Sequence, residues 1–253
     1  MAKSICQLPA FSPVAVKLMA MLGQEDLRFR EVAEILQVDA ALTTGLLRLA
    51  NTAMVGSRYP VTSVMQALAL LGVERVAALV ATLSLGTFVR PVTKIAVFPQ
   101  FWRHNLATAL AATVYAQKLN MDADQAYLHG LLHDIGRLGM LMAYRDQYAA
   151  LYNYGSDNLV PRERERFGFD HVQAGTWLAI LWNLPASLAE PSVIEGSPLL
   201  AELACNAATT AGYGILPPPN PLPEVEPNSQ EAHIREFLNE KVSLYEKAYS
   251  IMG

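Results

Sequence analysis

The chain has 253 residues, 52% of them apolar and 17% charged, so it can bury a substantial core and is not a disordered segment. Nineteen Lys and Arg against 23 Asp and Glu give a formal charge of -4, which offers no general attraction to nucleic acid or anionic lipid. Cys6 and Cys205 are too few for a disulfide framework and read as two small buried hydrophobes in a reducing compartment. The N-terminus lacks the apolar run of a signal peptide, and no stretch reaches the ~18 apolar residues of a membrane span. The chain is therefore expected in the cytosol.

Apolar residues recur at spacings of three and four, which predicts an all-α, two-lobed multi-helix fold. Ser12 as N-cap and Pro13 at the first helical position open a helix with Val14, Leu18 and Leu22 inward and a stop at Gly23. A second runs from about Phe29 to Leu36. Asp39 caps a third that ends near Ala53, and Thr62 or Ser63 opens a fourth that ends at Gly72. The stretch ERVAALVATLSLGTF is apolar nearly all round and belongs in the middle of the fold. Pro91 and Pro99 mark a break, which places an N-terminal lobe at 1–90 and a second lobe at 91–213.

In the second lobe, helices are expected near Phe101 to Leu119, Asp122 to Tyr144, Gln147 to Tyr154, Asp170 to Trp182, Pro185 to Ile194 and Pro198 to Gly212. The segment PRERERF alternates Arg162, Glu163, Arg164, Glu165 and Arg166, so it reads as a solvated, self-paired turn. Six prolines between Gly214 and Gln230 make an extended connector within residues 214–253. Ser229 then caps a final helix, which either packs on its own domain or offers Ile234, Phe237, Leu238, Tyr245 and Tyr249 to a partner. Charge divides along the chain, net +3 over residues 1–100 and net -7 over residues 101–253.

Residues 30–53 have the outline of a helix-turn-helix. The second helix offers only Arg48 as a cation, while Leu42, Leu46, Leu47 and Leu49 cover more than one face, which favours core packing over DNA reading.

Of the five histidines, His233 reads as surface. His129 and His133 lie four apart, but Gly130 follows the first where a zinc protease needs its Glu. His133 and Asp134 sit together in an apolar helix, where an ionised carboxylate is costly unless it meets a cation or several donors. His104, one helix earlier, can reach that pair if the two helices are antiparallel. Imidazole and carboxylate suit manganese, iron or zinc, and they equally suit a buried structural dyad. No GxSxG, glycine-rich phosphate loop or paired catalytic carboxylate motif is present.

Several long stretches resemble one known family in the right order. They are LPAFSPVAVKLM, VDAALTTGLLRLANTAMVGSRYPVTSVMQALALLGVERV, FWRHNLATALAA, AYLHGLLHDIGRLGML, FGFDHVQAGTWLAILWNLP and LACNAATTAGYG. Together they resemble the HDOD proteins, the HD-related output domains of bacterial signalling, over about residues 8–212. The resemblance implies an HD-type second lobe akin to the metal-dependent phosphohydrolases, in which His104, the His133–Asp134 pair and a distal carboxylate hold metal. By that correspondence the extra histidine of HD-GYP-like members falls on His171, and the distal Asp position on Asn206, which carries no charge. Glu195 and Gly196 stand where many relatives have a His-His pair.

The resemblance thus implies a degenerate phosphohydrolase whose remnant site holds one divalent ion (Mn, Fe, Zn or Mg), a phosphate or nothing. It implies an output or scaffold module in signal transduction that binds signalling proteins, a nucleotide or a cyclic dinucleotide, and with no attached receiver in the sequence a free-standing one is expected. Metal-dependent hydrolysis of such a nucleotide is the alternative. Hydropathy and charge point away from a membrane and from nucleic acid, with binding of nucleic acid through the mildly basic N-terminal lobe as a third reading.

Overall fold

The computed structural model describes residues 2–24, 27–52, 59–152, 159–185, 188, 198–216, 222 and 224–250. Among them every regular element is helical, as the apolar spacing requires. The chain divides into two compact units, Ala10–Phe88 with Glu240–Gly253, and Met1–Pro9 with Val89–Asn239.

A short helix α1 (Ala2–Cys6) opens the chain, and its Cys6 is exposed, not buried as expected. That helix belongs with Val89–Asn239, and the unit of Ala10–Phe88 comprises α2 (Pro13–Met21), α3 (Phe29–Gln37), α4 (Ala40–Ala50), α5 (Val64–Leu71) and α6 (Val73–Phe88). Ser12 Oγ accepts from the Ala15 amide, Asp39 from those of Ala41 and Leu42, and Ser63 from that of Gln66. The inward face of α2 is Ala15, Leu18 and Met19, with Val14 and Leu22 half-buried. Helix α4 stops before Asn51, whose side-chain amide leaves the helical direction to pair with both backbone groups of Val61 at 2.7 and 2.8 Å. Helices α3 and α4 bury Val32, Leu36, Leu42, Leu46 and Leu49, so the helix-turn-helix outline serves the core. Helix α6 is buried from Val76 to Leu85.

The second unit holds α7 (Phe98–Lys118), α8 (Ala123–Leu132), α9 (Ile135–Leu151), α10 (Val160–Phe167), α11 (His171–Leu181), α12 (Pro198–Ala208) and the first part of α13 (Gln230–Ser250). Two expectations are corrected here. The single helix from Asp122 to Tyr144 is two helices that break at His133–Asp134, and the expected later helix is the far end of α9, beyond a bend at Arg145 (φ 24). PRERERF is helix α10, ended by Gly168 at φ 81, and its Glu163 is wholly buried instead of solvated. The expected final helix is α13. Along α13, Ile234, Leu238, Val242 and Tyr245 are buried, an i, i+4, i+8, i+11 stripe, and Phe237 is half-buried. The Tyr249 side chain lies outside the described residues, as does most of the expected helix from Pro185 to Ile194.

Candidate functional site

The backbone of α8 lies directly on α7 at Gly130, where a Cβ would stand 2.6 Å from the Ala109 Cα. That close approach seats His133, at the end of α8, against His104 in α7, with their Nε2 atoms 3.2 Å apart. Asn105 locks the same junction, since its Nδ2 donates to the Leu131 carbonyl, one of those that the end of α8 leaves without a helical partner.

Both rings are oriented from behind. His104 Nδ1 lies 2.8 Å from the Tyr213 carbonyl, and His133 Nδ1 lies 2.7 Å from the Gly130 carbonyl. A carbonyl only accepts, so each Nδ1 carries the proton and each Nε2 turns its lone pair toward the other ring. Burial pushes His104 down to about 4, helped by the neighbouring His133, and burial lowers His133 as well, so both rings are neutral at pH 7. Tyr213, which orients His104, ends a single π-turn (Thr209–Tyr213) after α12.

Asp134 precedes α9 but does not cap its amides; its Oδ2 accepts instead from Arg137 Nε at 2.8 Å. The rest of that guanidinium is also engaged: Nη1 donates to Glu163 Oε1 at 3.0 Å and Nη2 to His171 Nε2 at 3.0 Å. Glu163 Oε1 also accepts from the Tyr148 hydroxyl at 2.7 Å, and its Oε2 accepts from the His171 amide and Nδ1 at 2.9 and 2.6 Å. Gly136 makes this possible, because a Cβ there would run into the His171 carbonyl and push α11 off α9. Burial alone would raise both carboxyls. The Arg137 charge holds Asp134 well below the carboxylate range, and the His171 hydrogen bond with Arg137 lowers Glu163. Two buried carboxylates and one guanidinium thus form a closed network in which each charge meets several partners.

The structure therefore gathers His104, His133, Asp134 and His171 in one place, as the sequence led us to expect. Asn206 is not among them. The residue of α12 that faces the pair is Cys205, with Sγ 3.6 Å from His104 Nε2, while Asn206 lines a cavity of about 180 Å³ with Tyr115, Glu231 and Arg235. Burial pushes the Cys205 thiol up to about 11. His171 is engaged through both ring nitrogens, by Glu163 and Arg137. Glu195 and Gly196 lie outside the described residues. Among the described residues, His104 Nε2, His133 Nε2 and Cys205 Sγ are the three donors that could hold a metal, all within 4.8 Å of one another. Sequence reasoning missed Arg137 and Glu163; an Arg three residues after a buried Asp was the available signal for the first.

Residues 8–195 match the HDOD domain family, and the chain belongs to it. A Treponema pallidum (strain Nichols) protein named only "Uncharacterized protein" is 23% identical over 189 residues, which is 73% of this chain and 36% of that relative, so the chain spans little more than a third of its length. Two crystal structures share the fold. An HDOD domain protein with unknown function from Geobacter sulfurreducens is 19% identical with a TM-score of 0.70, over 97% of this chain and 92% of that one. A Shewanella amazonensis SB2B protein named "Putative phosphohydrolase" is 24% identical with a TM-score of 0.69, over 99% and 92%. Among the described residues, no single helix is long and apolar enough to cross a membrane.

Proposed function

We propose that this chain is a regulatory module of bacterial signal transduction, working in the cytosol by binding a signalling protein, a nucleotide or a cyclic dinucleotide without turning it over. The second lobe, residues 91–213, carries the site. The observation behind this reading is Arg137. Hydrolysis of a phosphodiester through metal calls for carboxylate oxygens free to hold hard divalent ions beside the scissile phosphate. Here Asp134 is spent on an internal guanidinium, Glu163 is closed off by four donors, and the position next to His104 is a thiol. The charge that a metal pair would supply comes from a side chain, which supports a binding site over a hydrolytic one.

The test is a panel of nucleotides and cyclic dinucleotides offered to the full chain with added manganese. Hydrolysis and binding are followed in parallel beside His133→Ala and Asp134→Ala. Binding of a panel member without turnover is the expected outcome. Phosphodiesterase turnover that disappears in both variants would establish the hydrolase reading instead.

A further inference from the structure

The two rings of the histidine pair owe their orientation to different parts of the chain. His133 Nδ1 is held by the Gly130 carbonyl, three residues back in its own helix, whereas His104 Nδ1 is held by the Tyr213 carbonyl, 109 residues away. That distant carbonyl decides what His104 Nε2 does. With the proton on Nδ1, Nε2 is an acceptor: it takes a weak bond from the Cys205 thiol at 3.6 Å and leaves His133 Nε2, 3.2 Å away, as a second open acceptor. With the proton on Nε2, the same 3.2 Å separation becomes an N–H···N hydrogen bond, and the two rings close on each other. The 2.8 Å bond to Tyr213 favours the open arrangement only while that carbonyl stays in place.

Tyr213 ends the π-turn Thr209–Tyr213, where Gly212 at φ 96 leaves the helical direction. Two side chains of α13 hold this turn. Arg235 Nη2 donates to the Thr210 carbonyl at 2.8 Å, and Asn239 Oδ1 accepts from the Tyr213 hydroxyl at 2.9 Å. Arg235 and Asn239 lie four apart on one face of the helix, beside the buried Ile234 and Leu238 that anchor it. All of these residues belong to the second unit, and both the turn and α13 lie beyond residues 8–195 that match the family.

We propose that Arg235 and Asn239 are positioning residues of the histidine pair: by holding the π-turn they keep the Tyr213 carbonyl behind His104, and so keep both Nε2 atoms open as acceptors for an N–H or O–H group of a ligand. The first turns of α13 thereby act as a latch. Drawing them off the π-turn lets His104 release its Nδ1 proton to water, take one up at Nε2 with no change of charge, and close on His133. The inference concerns the ring itself and goes beyond the signalling reading, since it holds whether the site binds or hydrolyses its ligand.

Nitrogen-15 NMR of the imidazole rings in the full, ligand-free chain at pH 7 reads the tautomer, with the His104 signals assigned through the backbone. The wild type is expected to show a protonated Nδ1 and an unprotonated Nε2. Arg235→Met combined with Asn239→Ala is expected to raise the ratio of the Nε2–H to the Nδ1–H form by about tenfold. Tyr213→Phe removes the hydroxyl but keeps the carbonyl; it should shift the ratio the same way by about threefold, and it serves where the double variant does not fold. Leu46→Ala, which destabilises the first unit, leaves the ratio unchanged and so separates positioning from general loss of stability. A wild-type ring already protonated on Nε2, an unchanged ratio in the folded variant, or an equal shift in Leu46→Ala would overturn the proposal. No ligand and no turnover enters these readouts, so a hydrolase result would remove the signalling reading and leave this one standing.

Discussion

Among the described residues of the first unit, the buried polar side chains are Thr82 and Ser84, and each hydroxyl donates to the carbonyl four residues earlier on α6. The second unit buries His104, Asn105, Thr108, Asp134, Glu163, Asp170 and His171. Both units are built of helices with apolar faces, yet they solve different problems. The first removes apolar area from water and meets its few polar groups locally. The second must hold charges out of water, which is tolerable only where every one is paired, and its pairs come from distant parts of the chain: Arg137 to Glu163, His171 to Arg137, His104 to Tyr213. The difference shows where a function can reside. An apolar core tolerates exchange of like for like, whereas a buried charge network specifies its members one by one.

Breaking one core of each kind sharpens the contrast. Arg137→Met leaves Asp134 and Glu163 buried without their cation and is expected to cost about 3–5 kcal/mol in denaturant unfolding at pH 7, with most of the loss recovered where the carboxyls can protonate. Leu46→Ala, a fully buried side chain of the first unit, should cost about 2–5 kcal/mol through lost burial and a cavity, by the same amount at pH 7 and pH 5. A smaller effect isolates one histidine. Burial holds His129 at about 4, below its ordinary 6.5, so the unfolded chain takes up a proton there before the folded one does. The stability that this group contributes is complete above pH 6.5 and is lost as the pH falls toward 4. His129→Gln should therefore flatten the acid limb of a stability-against-pH curve by at most about 1.4 kcal/mol per pH unit within that window.

Much of the helical framework was legible because local chemistry decides it. Ser12, Asp39, Ser63 and Ser229 cap the helices they precede, and the near-continuous apolar run of α6 places it in a core. The His104, His133, Asp134 and His171 cluster was legible through family resemblance. What stayed hidden depends on three-dimensional neighbours. Arg162 to Arg166 alternate in sign with the glutamates between them, a pattern that signals solvent, yet one turn of α10 carries Glu163 inward to Arg137 and His171. Cys205 and Asn206 differ by one position, about 100° of helical rotation, and only the packed orientation of α12 decides which faces His104. The break at His133–Asp134 was hidden because the apolar run continues through it.

Arg137 and Glu163 act as members of one buried network, and a double-mutant cycle measures that directly. Unfolding free energies at pH 7 for the wild type, Arg137→Met, Glu163→Gln and the double variant should show a coupling of about 1–3 kcal/mol, with the double variant less damaged than the sum of the single ones. Losses that add to within about 0.5 kcal/mol would mean that the two side chains are independent, and the closed network described here would be wrong.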